Sequence, residues 1–185
     1  MGKSDITKQR LLDAATVEFA THGIAGARVD RIAVAAGCNK QAIYAYFKSK
    51  DGLFDAVYEQ MVIDTVESVP IDPFDLPGYA ASLFDRYRDH PEVQKLSAWH
   101  QFERLEFGPD TRIATTAAKQ KIDRIKEAQS AGAVTDLLPA EYLLALILRM
   151  ATIGVYGSIE NKASPSASKK MRQALIDGVR KLVAP

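Results

Sequence analysis

Three observations predict an all-α fold of about nine helices for these 185 residues. Apolar residues recur three and four positions apart along most of the chain, the period of a helix with one face buried. No stretch shows the period-two alternation of a half-buried strand. Glycines and prolines at Gly23, Gly37, 70–78, Pro91, Gly108, Pro109, Gly132 and Pro139 punctuate the periodic stretches. At 47% hydrophobic, the chain can bury a sizeable core in one or two compact units. The expected organisation is a three-helix unit over residues 1–50 containing a helix-turn-helix, followed by a larger helical domain over 51–185. A helix beginning near residue 50 connects the two.

The first helix is expected to start with Ser4 or Asp5 as cap and to stop at Gly23, with Leu12, Ala15 and Phe19 on its inner stripe. Val29, Ile32, Ala33 and Ala36 form the apolar face of a short second helix, which Gly37 ends because glycine accepts the left-handed conformation required there. Asn39 is a good N-cap for a third helix running from Lys40 to Phe47, with Ile43 and Phe47 inward and Lys40, Gln41 and Tyr44 outward. Ser49 caps a long fourth helix carrying Leu53, Phe54, Val57, Tyr58 and Met61.

The segment PIDPFDLPG, with three prolines and a glycine, turns the chain. A fifth helix opens near Pro77 with Ala80, Leu83, Phe84 and Tyr87 and stops at His90. A sixth begins at Pro91 and carries Val93, Leu96, Trp99, His100 and Phe102, ending by Gly108 and Pro109. The seventh, Thr111 to Ala131, is more polar, with Ile113, Ala117, Ile122 and Ile125. The eighth, Pro139 to about Ile159, is apolar around nearly its whole circumference, so packing one side in a monomer leaves another side uncovered. After ENKASPSAS, a flexible segment by composition, the ninth shows Met171, Leu175, Val179 and Leu182 as one stripe. Two such terminal helices can pair with their symmetry mates in a four-helix bundle about a twofold axis.

Charge is unevenly placed. Residues 1–50 hold eight Lys/Arg and four acids, while the remainder holds sixteen basic and nineteen acidic residues. From Cys38 to Lys50 there are three lysines and no acid, which suits a surface lying against phosphates. Lys40 sits in the first turn of the third helix, where the helix dipole disfavours a cation, so an anion outside the protein is expected beside it. A helix-turn-helix places its second helix in the DNA major groove. Gln41 is the leading candidate for reading a base edge, its amide donating to and accepting from adenine. Lys40 is suited to a guanine or a phosphate, and Ala42 to close approach or a thymine methyl. Arg28 and Lys48 are further backbone-contact candidates, and Asn39 belongs to the same surface.

No signal peptide is visible, and the longest apolar run, Tyr142 to Gly157, is interrupted by Arg149 and too short to span a bilayer. A soluble, cytoplasmic protein without a membrane partner is expected. The single cysteine, Cys38, excludes an intramolecular disulfide; it is a small apolar residue in the turn or a site of oxidation there. His22, His90 and His100 lack metal-ligand spacing, and no nucleophile motif or glycine-rich phosphate loop occurs. No enzyme activity, cofactor or metal is expected.

The run AGCNKQAIYAYFKSKDGLFDAV, Ala36 to Val57, resembles the signature of TetR-family transcriptional repressors. Its elements are Tyr44, Tyr46 and Phe47, then Ser49, Lys50 and Asp51, then Leu53 and Phe54. Upstream Ile6, Leu12, Ala15, Phe19 and Gly23 stand at the family's usual distances. The resemblance covers roughly the first third of the chain and departs at Cys38 and Asn39, where Val-Ser is commoner, and at Arg28, where a small hydroxyl residue is common. It implies phosphate contacts for Tyr44, Tyr46 and Lys50, with a core role the alternative for Tyr46. It implies a homodimer formed through the last two helices, for which Leu146, Met150, Ile153, Met171, Leu175, Val179 and Leu182 are the interface candidates. It also implies a small-molecule effector in the C-terminal domain; Phe84, Tyr87, Trp99, His100, Phe102, Tyr142, Met150 and Tyr156 are the residues suited to line a pocket, or to form ordinary core. The function expected is a dimeric repressor released from a palindromic operator by that ligand. The alternatives are an architectural or adaptor protein controlled by a protein partner, and a helical enzyme.

Overall fold

The computed structural model describes residues 2–104, 112–153 and 165–185. Among the described residues there are nine helices and no strand. They fall into two compact units, Met1–Asp64 with Glu92–Ala114, and Thr65–Pro91 with Thr115–Pro185. The expected boundary at residue 50 coincides with the start of the fourth helix, whereas the first unit continues along that helix to Asp64 and also takes in the sixth.

In the first unit α1 (Lys3–Gly26), α2 (Val29–Ala36), α3 (Lys40–Phe47) and most of α4 (Lys50–Ser68) surround one core. Leu11, Ala15, Phe19, Ile32, Ile43, Leu53 and Phe54 are completely buried in it. Phe19 and Phe54 meet edge to face, ring centroids 5.2 Å apart, fastening α1 to α4. The start of α1 differs from expectation. Gly2 is its N-cap, with its N–H donating to Asp5 Oδ2 at 3.0 Å, so Ser4 and Asp5 lie inside the first turn.

At Gly23 the helical path breaks, with φ 70° and ψ 179°, and one further short turn carries the chain to Gly26. Those angles belong to glycine. A Cβ there would also stand 3.2 Å from the indole of Trp99 on α6 (Pro91–Arg104). Glu103 of the same helix accepts the N–H groups of Ile24 at 3.3 Å and Ala25 at 2.9 Å, satisfying donors that the break exposes. His100 stacks on Tyr58 of α4 at 4.0 Å. The sixth helix therefore braces α1 and α4.

The second unit is built on α5 (Leu76–Asp89), whose inner face buries Leu76, Tyr79, Ala80, Leu83, Phe84 and Tyr87. Asp75 caps it, accepting from Gly78 N–H at 2.9 Å, so the helix begins at Leu76, one residue before the proline expected to open it. It packs against α8 (Ala140–Ala151) and α9 (Pro165–Val183), and an ion pair of 2.8 Å joins Asp85 to Arg172 on α9. The seventh helix, α7 (Arg112–Ser130), buries Ile125 and Ala128, and Gly132 with φ 68° follows its end. The expected stop at Gly108 and Pro109, and the stretch from residue 154 to 164, lie outside the described residues.

The interface candidates on α8 and α9 differ in exposure, and Leu175 and Val179 stand apart from the rest. These two are buried within their own chain, at 3% and 0% exposure. Leu146 and Ile153 are exposed, and Met150, Met171 and Leu182 half-buried.

Candidate nucleic-acid interface

Sequence and local physics put a polar, acid-free face on α3. Gly37 ends α2 in the left-handed conformation, φ 60°, and Asn39 opens α3 by accepting Ala42 N–H on its side chain at 2.8 Å. These caps fix the turn, while the buried Ile43 and Phe47 fix the rotation of α3. Lys40, Gln41, Tyr44 and Tyr46 are consequently exposed, and Ala42 is half-buried.

Lys40 Nζ is paired with Asp30 on α2, at 2.9 Å to Oδ1 and 3.1 Å to Oδ2. That hydrogen bond is the main reason the Lys40 ammonium holds its proton more tightly than usual. The anion that the unfavourable helix-end charge calls for is thus provided from inside the fold, ten residues upstream. Asp30 is not among the residues expected on this surface, although its position in the first turn of α2 is a usable signal.

The remaining candidates divide. Arg28 is the N-cap of α2 and its side chain is exposed; its N–H donates to Glu18 at 2.8 Å. Glu18 also takes Arg31 Nε at 2.9 Å. Burial pushes the Glu18 carboxyl up, but the hydrogen bonds from Arg31 and the Arg28 backbone outweigh it and leave the group below its ordinary value. Tyr46 Oη lies 3.0 Å from Ser4 Oγ and donates to Ser4 O at 3.3 Å, so it anchors the start of α1 while staying 37% exposed. Lys50 Nζ donates to the carbonyls of Ala25 and Ala27, each at 3.3 Å, which closes the α1–α2 turn. Lys48 ends α3 with φ 70°, and Ser49 N–H reaches Phe47 O at 2.8 Å across it, a γ-turn that projects its side chain into solvent.

Sequence reasoning also missed Gly52. A Cβ on it would fall 2.2 Å from the carbonyl oxygen of Phe47, so the α3–α4 junction closes only around a glycine. Its signal was a glycine two residues into a helix, a place with no need of one on propensity grounds.

The residues suited to a ligand pocket are divided between the two units. Phe84 and Tyr87 are core of the second unit, while Trp99 and His100 pack within the first. Phe102 and Tyr142 are 79% and 62% exposed. Met150 Cε approaches Gly178 on α9, and Tyr156 lies outside the described residues. Among the described residues no group of His, Cys, Asp and Glu is arranged to hold a metal ion, and no helix is long and apolar enough to cross a membrane.

A helix-turn-helix with an exposed polar recognition face, mounted on an otherwise all-helical chain, defines a DNA-binding regulator. Residues 11–57 match the profile of bacterial regulatory proteins of the tetR family, and residues 75–181 that of the tetracyclin repressor-like C-terminal domain. The HTH-type transcriptional repressor SCO4008 of Streptomyces coelicolor is 42% identical over 156 residues, 82% of this chain and 79% of that protein. The HTH-type transcriptional repressor NicS of Pseudomonas putida is 32% identical over 103 residues, 52% of this chain and 49% of its own. The crystal structure of SCO4942 from Streptomyces coelicolor, assigned as a transcriptional regulator, superposes with a TM-score of 0.81 at 36% identity, covering 96% of this chain and 98% of that one. The chain belongs to the TetR family, whose members are non-enzymatic DNA-binding transcriptional regulators.

Proposed function

We propose that this protein is a dimeric repressor that grips a palindromic operator with two copies of α3 and lets go when a small molecule binds its C-terminal unit. The observation that carries the reading is the outward face of α3, where Lys40, Gln41 and Tyr44 stand together and no acid occurs from Cys38 to Lys50. Gln41 reads a base edge, Lys40 exchanges Asp30 for a guanine or a phosphate, and Tyr44, Arg28 and Lys48 hold the backbone. Tyr46 and Lys50 touch phosphate while keeping Ser4 and the α1–α2 turn in place. Half-sites lie near one helical turn apart, ~34 Å, or a multiple of it.

The dimer forms over the exposed apolar side of α8 and the residues just past its end, where Tyr142, Leu146 and Ile153 remain uncovered in a single chain. The similarity to proteins named as repressors supports the direction of regulation. Selection of bound sequences from a random duplex pool near physiological salt is the test. A recovered palindrome that the Gln41→Ala and Tyr44→Ala protein no longer prefers supports the reading. Binding without sequence preference in the unliganded wild-type protein overturns it.

A further inference from the structure

The second unit contains hydrogen-bond donors that its own acceptors do not serve. Lys121 on α7 directs its ammonium over the ring of Tyr79, 5.6 Å from the centroid, and among the described residues it has no carboxylate or carbonyl partner. The Tyr79 hydroxyl, on a residue only 3% exposed, likewise has no hydrogen-bond partner. Two turns along α5, on the same side of that helix, Arg86 Nε is buried without an acceptor among the described residues. The nearby acids are already engaged: Asp123 accepts from Lys119 at 2.7 Å, and Asp85 is held by Arg88 and Arg172. Such orphaned donors are uncommon in folded interiors and are costly.

Lys121 also borders a cleft of about 450 Å³ between the end of α4 and α7. Its other walls include Val66, Pro70, Ile71 and Ala117, and Gln120 and Asp123 stand beside Lys121, so the cleft has an apolar body and a polar side on which the Asp123 carboxylate is already taken by Lys119. Arg124, which borders it too, is paired with Glu127 at 2.9 Å. Burial disfavours the charged form of both the Lys121 amine and the Tyr79 phenol, so an anion arriving beside the Lys121 ammonium offsets part of what burial costs it.

We propose that this cleft binds a small organic anion, an apolar body resting on Val66, Pro70, Ile71 and Ala117 with its carboxylate accepting from Lys121. The proposal rests on the effector reading above for its regulatory meaning and names the chemical class of the effector. A volume of this size lies in the range of small-molecule sites.

The test uses the full-length protein with benzoate, phenylacetate and octanoate as probes, each beside its primary amide. Calorimetry measures binding, and a labelled operator duplex reports release. Lys121→Met keeps the aliphatic stem and removes the ammonium, and its circular dichroism melt checks the fold. At least one carboxylate is expected to bind the wild type better than its amide does, with affinity falling by about tenfold or more in Lys121→Met. Lys121→Gln serves as the second variant if Lys121→Met fails to fold: a loss of preference for carboxylate over amide supports the site, and an unchanged preference overturns it. Failure of every carboxylate to bind, equal binding of amides, or binding to folded Lys121→Met as tight as to the wild type overturns it. Amides that release operator DNA overturn the anion while leaving the effector reading intact. Carboxylates that bind through Lys121 without disturbing DNA support the site and remove the effector reading.

Discussion

Asp30 and Lys40 are the pair in which a single charge changes the reading of the DNA-facing surface. Both side chains are exposed, so their attraction adds little to folding, but in the proposed complex it is what Lys40 gives up to reach DNA. Asp30→Asn is expected to strengthen binding to random duplexes and to steepen the salt dependence by about one unit in the log–log slope, read by titrations at several salt concentrations. Gln41→Ala is expected to relax preference at one base position by ~1–3 kcal/mol without affecting the oligomer, measured by competition between operator variants. Glu18 supplies a pH effect whose sign follows from its lowered proton affinity. The stabilisation is present above the ordinary carboxylate range and disappears as the pH falls through the depressed value, where the Arg31 and Arg28 anchors let go. Thermal melts from neutral to strongly acidic pH should show a smaller acid-side loss in Glu18→Gln than in the wild type.

At the scale of elements, junctions matter more than helix propensities. The α3–α4 junction admits no side chain at residue 52, because a Cβ would collide with the Phe47 carbonyl, which is backbone and cannot rotate away. Gly52→Ala is expected to destabilise the first unit by ~1–3 kcal/mol despite alanine's better helix propensity, as judged by denaturant unfolding. The existence and order of the helices were legible because their apolar periods are clean and their stops are chemically explicit at Gly23, Gly37, His90 and Gly132. The exceptions have local causes. Ser4 and Asp5 both qualify as caps by residue type, but the helix is capped at Gly2 and turns Asp5 back on Gly2 N–H. The brace from Trp99, His100 and Glu103 to α1 and α4 joins residues up to 79 positions apart, and no local pattern announces it.

For the whole molecule, the exposed side of α8 and the buried side of α9 separate two kinds of leucine that the sequence stripe treats alike. Leu146→Asp is expected to yield a folded monomer with greatly weakened operator binding, seen by sedimentation and duplex titration, because it charges a surface that a second copy would cover. Leu175→Ala is expected instead to cost ~2–5 kcal/mol of stability, because it empties space inside the chain. Helical period, glycine and proline stops, the turn signature and the basic bias of residues 1–50 are local properties, so the all-α class, the helix-turn-helix and the family resemblance followed from residue order alone. Pairings between distant residues are not local properties. Asp30 with Lys40, Tyr46 with Ser4, Lys50 with the Ala25 and Ala27 carbonyls, and Lys121 over Tyr79 depend on which faces meet when the helices pack. Many side chains of the same type satisfy the same helical period, and only the packed backbone selects among them.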